Sequence, residues 1–144
     1  MEKKYYHKYQ GFNSRLQPFQ GYVLSKKLET LDEWNDERNF IANTYNQAFT
    51  NLKNIIVPRT FNDNYHVWHL YVLRVKNRNQ FMKDALENGV ETSIHYPLPI
   101  HKQLAYKKHK QHNTKLTKSE DFGKKLVSLP IFPKMKKNEV KKVI

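Results

Sequence analysis

Tyr65-His66-Val67-Trp68-His69-Leu70-Tyr71-Val72-Leu73-Arg74-Val75 is the most strand-like run in the chain. β-Branched and aromatic residues fill it, so it predicts a central strand covered at least in part on both faces. The next stretch, Arg78 to Asn88, carries Phe81, Met82, Ala85 and Leu86 at helical spacing. Gly89 then supplies a left-handed stop, a conformation open to a residue without a Cβ. Val90 to Tyr96 predicts the next strand. Strand, helix and strand in this order predict an α/β (α+β) domain, with helices packed on a small sheet. His66 and His69 fall on the predicted strand at odd spacing and so on opposite faces. A buried structural role is expected for His69.

Upstream, Asn54-Ile55-Ile56-Val57 closes at Pro58 and reads as a brief strand. Before it runs one amphipathic stripe: Leu16, Phe19, Val23, Leu28, Leu31, Trp34, Ile41, Tyr45, Ala48 and Leu52. Gly11-Phe12-Asn13-Ser14-Arg15-Leu16 opens it. Asn13 and Ser14 suit an N-cap, where a short polar side chain bonds a free first-turn amide, and Pro18 is tolerated in a first turn. Unbroken, the helix is about 50 Å long, against a domain width of roughly 30–35 Å. Two readings follow: it bends near Thr30, or it reaches beyond this chain's own core. Residues 1–10 read as a lead-in loop. The expected division is 1–52, lead-in and long linking helix, and 53–144, a small α/β domain.

Downstream, Pro97 and Pro99 force a stiff, extended path. His101 to Lys115 reads as a short helix and an exposed loop. Thr117-x-x-Glu120 is a capping-box pattern for a helix carrying Phe122 and Leu126. Ser128 to Pro133 reads as extended. A last helix starts near Asn138, and its early end predicts a truncated polypeptide.

Composition narrows the function. The chain has 144 residues, 38% of them hydrophobic, and no cysteine. It predicts one globular domain without disulfides or thiolate metal sites. No apolar run spans a bilayer and no signal-peptide core is present, so a cytoplasmic protein is expected. The formal net charge is +13, with 26 Lys and Arg against 13 Asp and Glu. Such a charge attracts anions. Zinc-finger spacing, an RNA-recognition strand motif and a GXXG loop are all missing, so a lysine-coated solvent surface is the favoured reading and nucleic acid is not an expected partner. A free-standing basic module binding nucleic acid or another polyanion is the alternative.

Chemistry concentrates at Ile94-His95-Tyr96-Pro97-Leu98-Pro99-Ile100-His101. Two imidazoles flank a proline-stiffened segment, and stiffness holds a group near its productive pose. A metal site is not expected, because no third ligand lies nearby in sequence. Arg15, at a helix start, suits anion binding. No glycine-rich phosphate loop, nucleophile elbow or paired-acid motif is present. The chain displays no complete active site of its own.

Five stretches, in order, carry a resemblance. They are Gly11-Phe12-Asn13-Ser14-Arg15-Leu16 with Gln20; Leu31-Asp32-Glu33-Trp34-Asn35-x-x-Arg38; Trp68-His69-Leu70-Tyr71-Val72; Ile94-His95-Tyr96-Pro97-x-Pro99-x-His101; and Leu126-Val127-Ser128-Leu129-Pro130. Together they resemble the C-terminal portion of DegT/DnrJ/EryC1/StrS aminotransferases, pyridoxal-phosphate-dependent enzymes of nucleotide-linked keto sugars. The resemblance implies the small C-terminal domain of a fold-type-I enzyme, with a small, mostly antiparallel sheet, helices and a long linking helix. It implies a homodimer that passes an amino group, usually from glutamate, to a nucleotide-sugar ketone. Asn13 would reach the cofactor phosphate bound mainly by the neighbouring subunit. Arg15 would face the substrate or the donor carboxylate, and His95, Tyr96 and His101 would line the nucleotide-sugar side. None of the 21 lysines matches the family's Schiff-base motif, so no catalytic residue and no activity is expected of this chain alone. The lead-in and His101-Lys102-Gln103 are similar to the branch acting on dTDP-linked 3-keto-6-deoxyhexoses.

Overall fold

Residues 12, 14–61 and 63–144 are described by the structure, a computed structural model. Contacts divide the chain into two units, residues 1–32 and 33–144. In the first, α1 runs Pro18–Leu28. Gln17, not Ser14, caps it: the Gln20 Oε1 accepts the Gln17 amide at 3.2 Å. Pro18 occupies the first helical position, where no amide is missed. The helix buries none of its residues, so Phe19 and Val23 of the expected stripe do not join a core within this unit. The helical run is interrupted at Glu29–Thr30, and α2 resumes at Leu31–Phe49. The break falls at Thr30, as the first of the two readings of the overlong stripe has it.

The second unit is organised on α2 and a three-stranded antiparallel sheet. The strands are β1 (Ile55–Ile56), β2 (Tyr71–Val75) and β3 (Leu126–Leu129), in the order β1-β2-β3. Ile55 pairs with Val75, and Tyr71 with Leu129. Ile41, Ala42, Tyr45 and Phe49 form the buried stripe of α2, one helical turn apart. They share a core with Trp68, Tyr71, Leu73, Val75, Val127, Leu129 and Val140. The Tyr45 and Tyr71 rings meet edge-on, centroids 5.1 Å apart. Both hydroxyls are satisfied: Tyr45 donates to the Pro130 carbonyl at 2.9 Å and Tyr71 to Asn46 Oδ1 at 2.8 Å. The remaining helices are α3 (Arg78–Glu87), α4 (Thr117–Lys125) and α5 (Lys137–Val143). Gly89 closes α3 at φ +72°, as its position predicts.

Five expectations are corrected. The central strand begins at Tyr71, not Tyr65, because Trp68 turns the chain off the sheet. Its φ is +49°, its amide bonds His66 Nδ1 at 2.9 Å, and its buried indole N–H reaches Asn39 Oδ1 at 3.0 Å. A buried tryptophan needs a partner for that N–H, and here the partner lies on α2. His66 and His69 therefore lie outside the strand, and both are exposed, so His69 is not a buried structural residue. Val90–Tyr96 forms no strand. Only Ser93 pairs, with Ser128, before the prolines draw the backbone away. The capping box at Thr117 is half formed, since Glu120 Oε1 accepts the Leu116 amide at 3.0 Å and Thr117 lies inside the helix. Leu126 opens β3 instead of continuing α4.

Candidate functional site

The segment from Ser93 to Lys102 carries the candidate residues, and its two ends are fixed differently. At the first end, Ser93 and Ser128 exchange both backbone hydrogen bonds, at 3.1 and 2.8 Å. Two residues on, half-buried His95 places Nδ1 2.8 Å from the Ser128 Oγ. Ser128 is 4% exposed on β3, so its hydroxyl needs an internal partner, and His95 is that partner. The bond sets the plane of the imidazole and leaves Nε2 for other groups. Tyr96, joined to His95 by a cis peptide bond, is 72% exposed, and the two rings meet edge-on at 5.4 Å.

At the other end, Pro99 leads into a short 3₁₀ turn, Ile100–Lys102, that buries His101. Its Nε2 lies 3.1 Å from Glu120 Oε1. The same oxygen takes the Leu116 amide at 3.0 Å, and the Lys102 ammonium lies 3.7 Å away. The His101 hydrogen bond first, then the Leu116 amide, hold the Glu120 carboxyl below its usual range. An ionised carboxylate only accepts, so His101 Nε2 carries the hydrogen. Between the ends, α4 presses close. A Cβ on buried Gly123 would stand 2.8 Å from the Pro97 carbonyl oxygen.

The two histidines open on separate cavities. His95 lines one of about 290 Å³ together with His69, Glu91, Ser93 and Ser128. His101 lines one of about 470 Å³ with Pro99, Ile100, Tyr106, His109 and Leu116. The segment thus brings His95 and Tyr96 together and commits His101 to Glu120. Arg15 is exposed in the lead-in to α1, and Asn13 lies outside the described residues. Among the described residues no group of three or more His, Asp or Glu could hold a metal ion, and no helix is long and apolar enough to cross a membrane.

Sequence reasoning missed Ser128, Glu120 and Gly123 as supports. Ser128 had a signal: a hydroxyl inside the apolar run Leu126–Leu129 demands a partner.

The sequence profile of the DegT/DnrJ/EryC1/StrS aminotransferase family matches residues 1–144. The chain belongs to this family. Within it, the chain is similar to a dTDP-3-amino-3,6-dideoxy-alpha-D-galactopyranose transaminase of Aneurinibacillus thermoaerophilus, 42% identical over 144 residues. That match covers 99% of this chain and 38% of the relative. A dTDP-3-amino-3,4,6-trideoxy-alpha-D-glucose transaminase of Streptomyces venezuelae is 34% identical, over 99% of this chain and 38% of that protein. The crystal structure of S. venezuelae DesV superposes with a TM-score of 0.88 at 34% identity, covering 99% of this chain and 38% of that one. The chain thus spans under two fifths of the length of these family members, and the sheet with its helices is the family's fold over that share.

Proposed function

We propose that this chain is the C-terminal part of a pyridoxal-phosphate-dependent aminotransferase. Its substrate is a dTDP-linked keto-deoxysugar and its amino donor is glutamate. The reading rests on the 42% identity to a dTDP-sugar transaminase along 99% of the chain. Residues 53–144 carry the sheet of the small domain, and residues 1–52 hold the lead-in and the linking helix, whose α2 part packs on that sheet. The intact enzyme is a homodimer.

The described residues do not by themselves fit pyridoxal phosphate. None of their lysines is buried, and a Schiff-base lysine is made nucleophilic by desolvation in an apolar pocket. The cofactor, where bound, supplies the electron sink, and this chain supplies placement. His95, its ring plane set by Ser128, and neighbouring Tyr96 contact the nucleotide sugar. His101, which opens on a separate cavity, is assigned to the nucleotide-sugar side by the family resemblance alone. Exposed Arg15 takes a carboxylate or phosphate oxygen, and Asn13 reaches the cofactor phosphate of the neighbouring subunit.

Titrating dTDP into the chain, followed by NMR, tests this. Saturable shifts at His95 and Tyr96 are expected, with no change in pyridoxal absorbance when the cofactor is added to the chain alone. Shifts confined to the lysine patches overturn the substrate side of the reading. The formal charge of +13 favours a second reading, polyanion binding. Steep loss of oligonucleotide binding with salt, without any dTDP response, selects it.

A further inference from the structure

The side of the sheet opposite Leu73 and Val75 holds a cluster that the aminotransferase reading does not use. Arg74 sits on β2 with its guanidinium 4.5 Å over the Phe122 ring of α4. The side chain is half-buried, and among the described residues its guanidinium has no hydrogen-bond or ion-pair partner. A cation over an aromatic face is fixed in place, but its N–H donors stay unspent. They face a cavity of about 180 Å³ that Lys53, Lys76, Lys125, Asp121 and Phe122 also line.

The charges around this cavity do not cancel. Four cations meet one carboxylate, a surplus of three. Asp121 is already paired with Lys125 at 2.8 Å. Lys53 and Lys76 have no ion pair among the described residues and sit at the open end of the β1–β2 ladder. There the Lys76 amide bonds the Asn54 carbonyl at 3.3 Å, which holds the two lysine-bearing ends side by side. None of the cavity's lining residues belongs to the His95 or His101 cavities.

We propose that this cavity is a second anion site, which takes a compact phosphate-bearing ligand such as pyrophosphate. The Arg74 fork makes the directed hydrogen bonds, since a guanidinium matches phosphate oxygens two at a time. Lys53 and Lys76 supply screening charge at the mouth. A nucleic-acid strand fits less well. Single-strand grooves depend on free aromatic faces for stacking, and the Phe122 face is occupied by Arg74.

Calorimetric titration of inorganic pyrophosphate into the chain, at low salt, tests the site. One-to-one saturable binding is expected, at least tenfold weaker in Arg74→Met and several-fold weaker in Arg74→Lys, which keeps the charge and loses the fork. Lys110→Gln, in a separate lysine patch, should leave it unchanged. The Lys53→Gln/Lys76→Gln pair, on exposed side chains, should weaken binding even where Arg74→Met fails to fold. No saturable binding overturns the proposal. So does an equal loss from Lys110→Gln, which would mark only the field of the net charge, or an oligonucleotide that binds where pyrophosphate does not. dTDP carries a diphosphate of its own, so its titration is read at His95 and Tyr96, which do not line this cavity, and is repeated on Arg74→Met, where shifts that persist at those two residues belong to the aminotransferase reading.

Discussion

Ser128 Oγ and His95 Nδ1 stand 2.8 Å apart, and this contact adds a side-chain tie to the Ser93–Ser128 backbone pair that joins the candidate segment to β3. Ser128 lies on β3, paired with Val72 of β2, so its position is set by the ladder and not by a loop. Ser128→Ala removes the hydroxyl and leaves the backbone pairing with Ser93 intact. The expected cost is about 1 kcal/mol, a fall of about 3–5 °C in melting temperature. The His95 ring should lose its fixed proton arrangement, seen as altered imidazole ¹⁵N shifts. Ser128→Thr, which retains a hydroxyl, should restore those shifts. Unchanged His95 signals in Ser128→Ala would show that the contact does not hold the ring.

Glu120 ties down His101, and its charge makes that tie sensitive to pH. The folded carboxyl titrates below its usual range, so the unfolded chain binds the proton first on acidification. The contribution to stability is therefore complete above the ordinary glutamate range, about pH 4.3, and is lost as pH falls through the folded value. Glu120→Gln keeps an oxygen for Leu116 and His101 but removes the charge. The variant should melt lower than the parent at pH 7, and the two curves should converge below pH 4. A constant difference down to pH 3 would show that the charge is not what stabilises the pair.

The sequence pattern gave good access to elements whose signal is local. The α3 helix with its Gly89 stop, the break at Glu29–Thr30 and brief β1 all follow from spacing and turn chemistry. Expectations failed where a distant group decided the backbone. Trp68 leaves the strand run because its indole finds Asn39, 29 residues away. His101 lies in a short helical turn, as its stretch predicts, but its burial rests on Glu120, 19 residues on, which meets its ring. Period-two and period-3.6 patterns carry no record of such pairs. The motif His95-Tyr96-Pro97 was legible as a candidate site, but its supports were not, since Ser128 and Gly123 act through contacts that only the folded chain brings together.

The paired tyrosines of the core limit stability at the alkaline end. Burial pushes the Tyr71 phenol up to about 12, and burial, with the neighbouring Tyr71, pushes Tyr45 higher still. Both values are raised, so the unfolded chain loses these protons first, near pH 10. The stability they contribute is fully present below pH 10 and is lost as pH rises towards the folded values. Absorbance at 295 nm should show Tyr45 and Tyr71 ionising only as the circular dichroism signal collapses. Tyr45→Phe frees the Pro130 carbonyl and should cost about 1 kcal/mol at pH 7, while making the alkaline transition less steep. Early ionisation of both phenols in the folded chain would contradict this account.

Gly123 is where helix α4 and the proline segment come closest. A methyl group there would stand 2.8 Å from the Pro97 carbonyl oxygen and 3.5 Å from Pro99 Cδ. The obstructing atom is backbone, so it cannot swing aside as a lysine tip can. The helix has little room to retreat, because Arg78 Nη1 donates to the Gly123 carbonyl from α3 at 2.6 Å. Gly123→Ala should therefore cost about 1–3 kcal/mol as overpacking, and NMR shifts should concentrate at residues 95–101, on the candidate site. Gly21→Ala is the internal control. Among the described residues its Cβ meets only Leu16 Cδ2, at 3.6 Å, just ahead of α1. Alanine should favour that helix by about 0.5–1 kcal/mol. If both substitutions move stability in the same direction and leave residues 95–101 undisturbed, the Pro97 contact does not set the position of the segment.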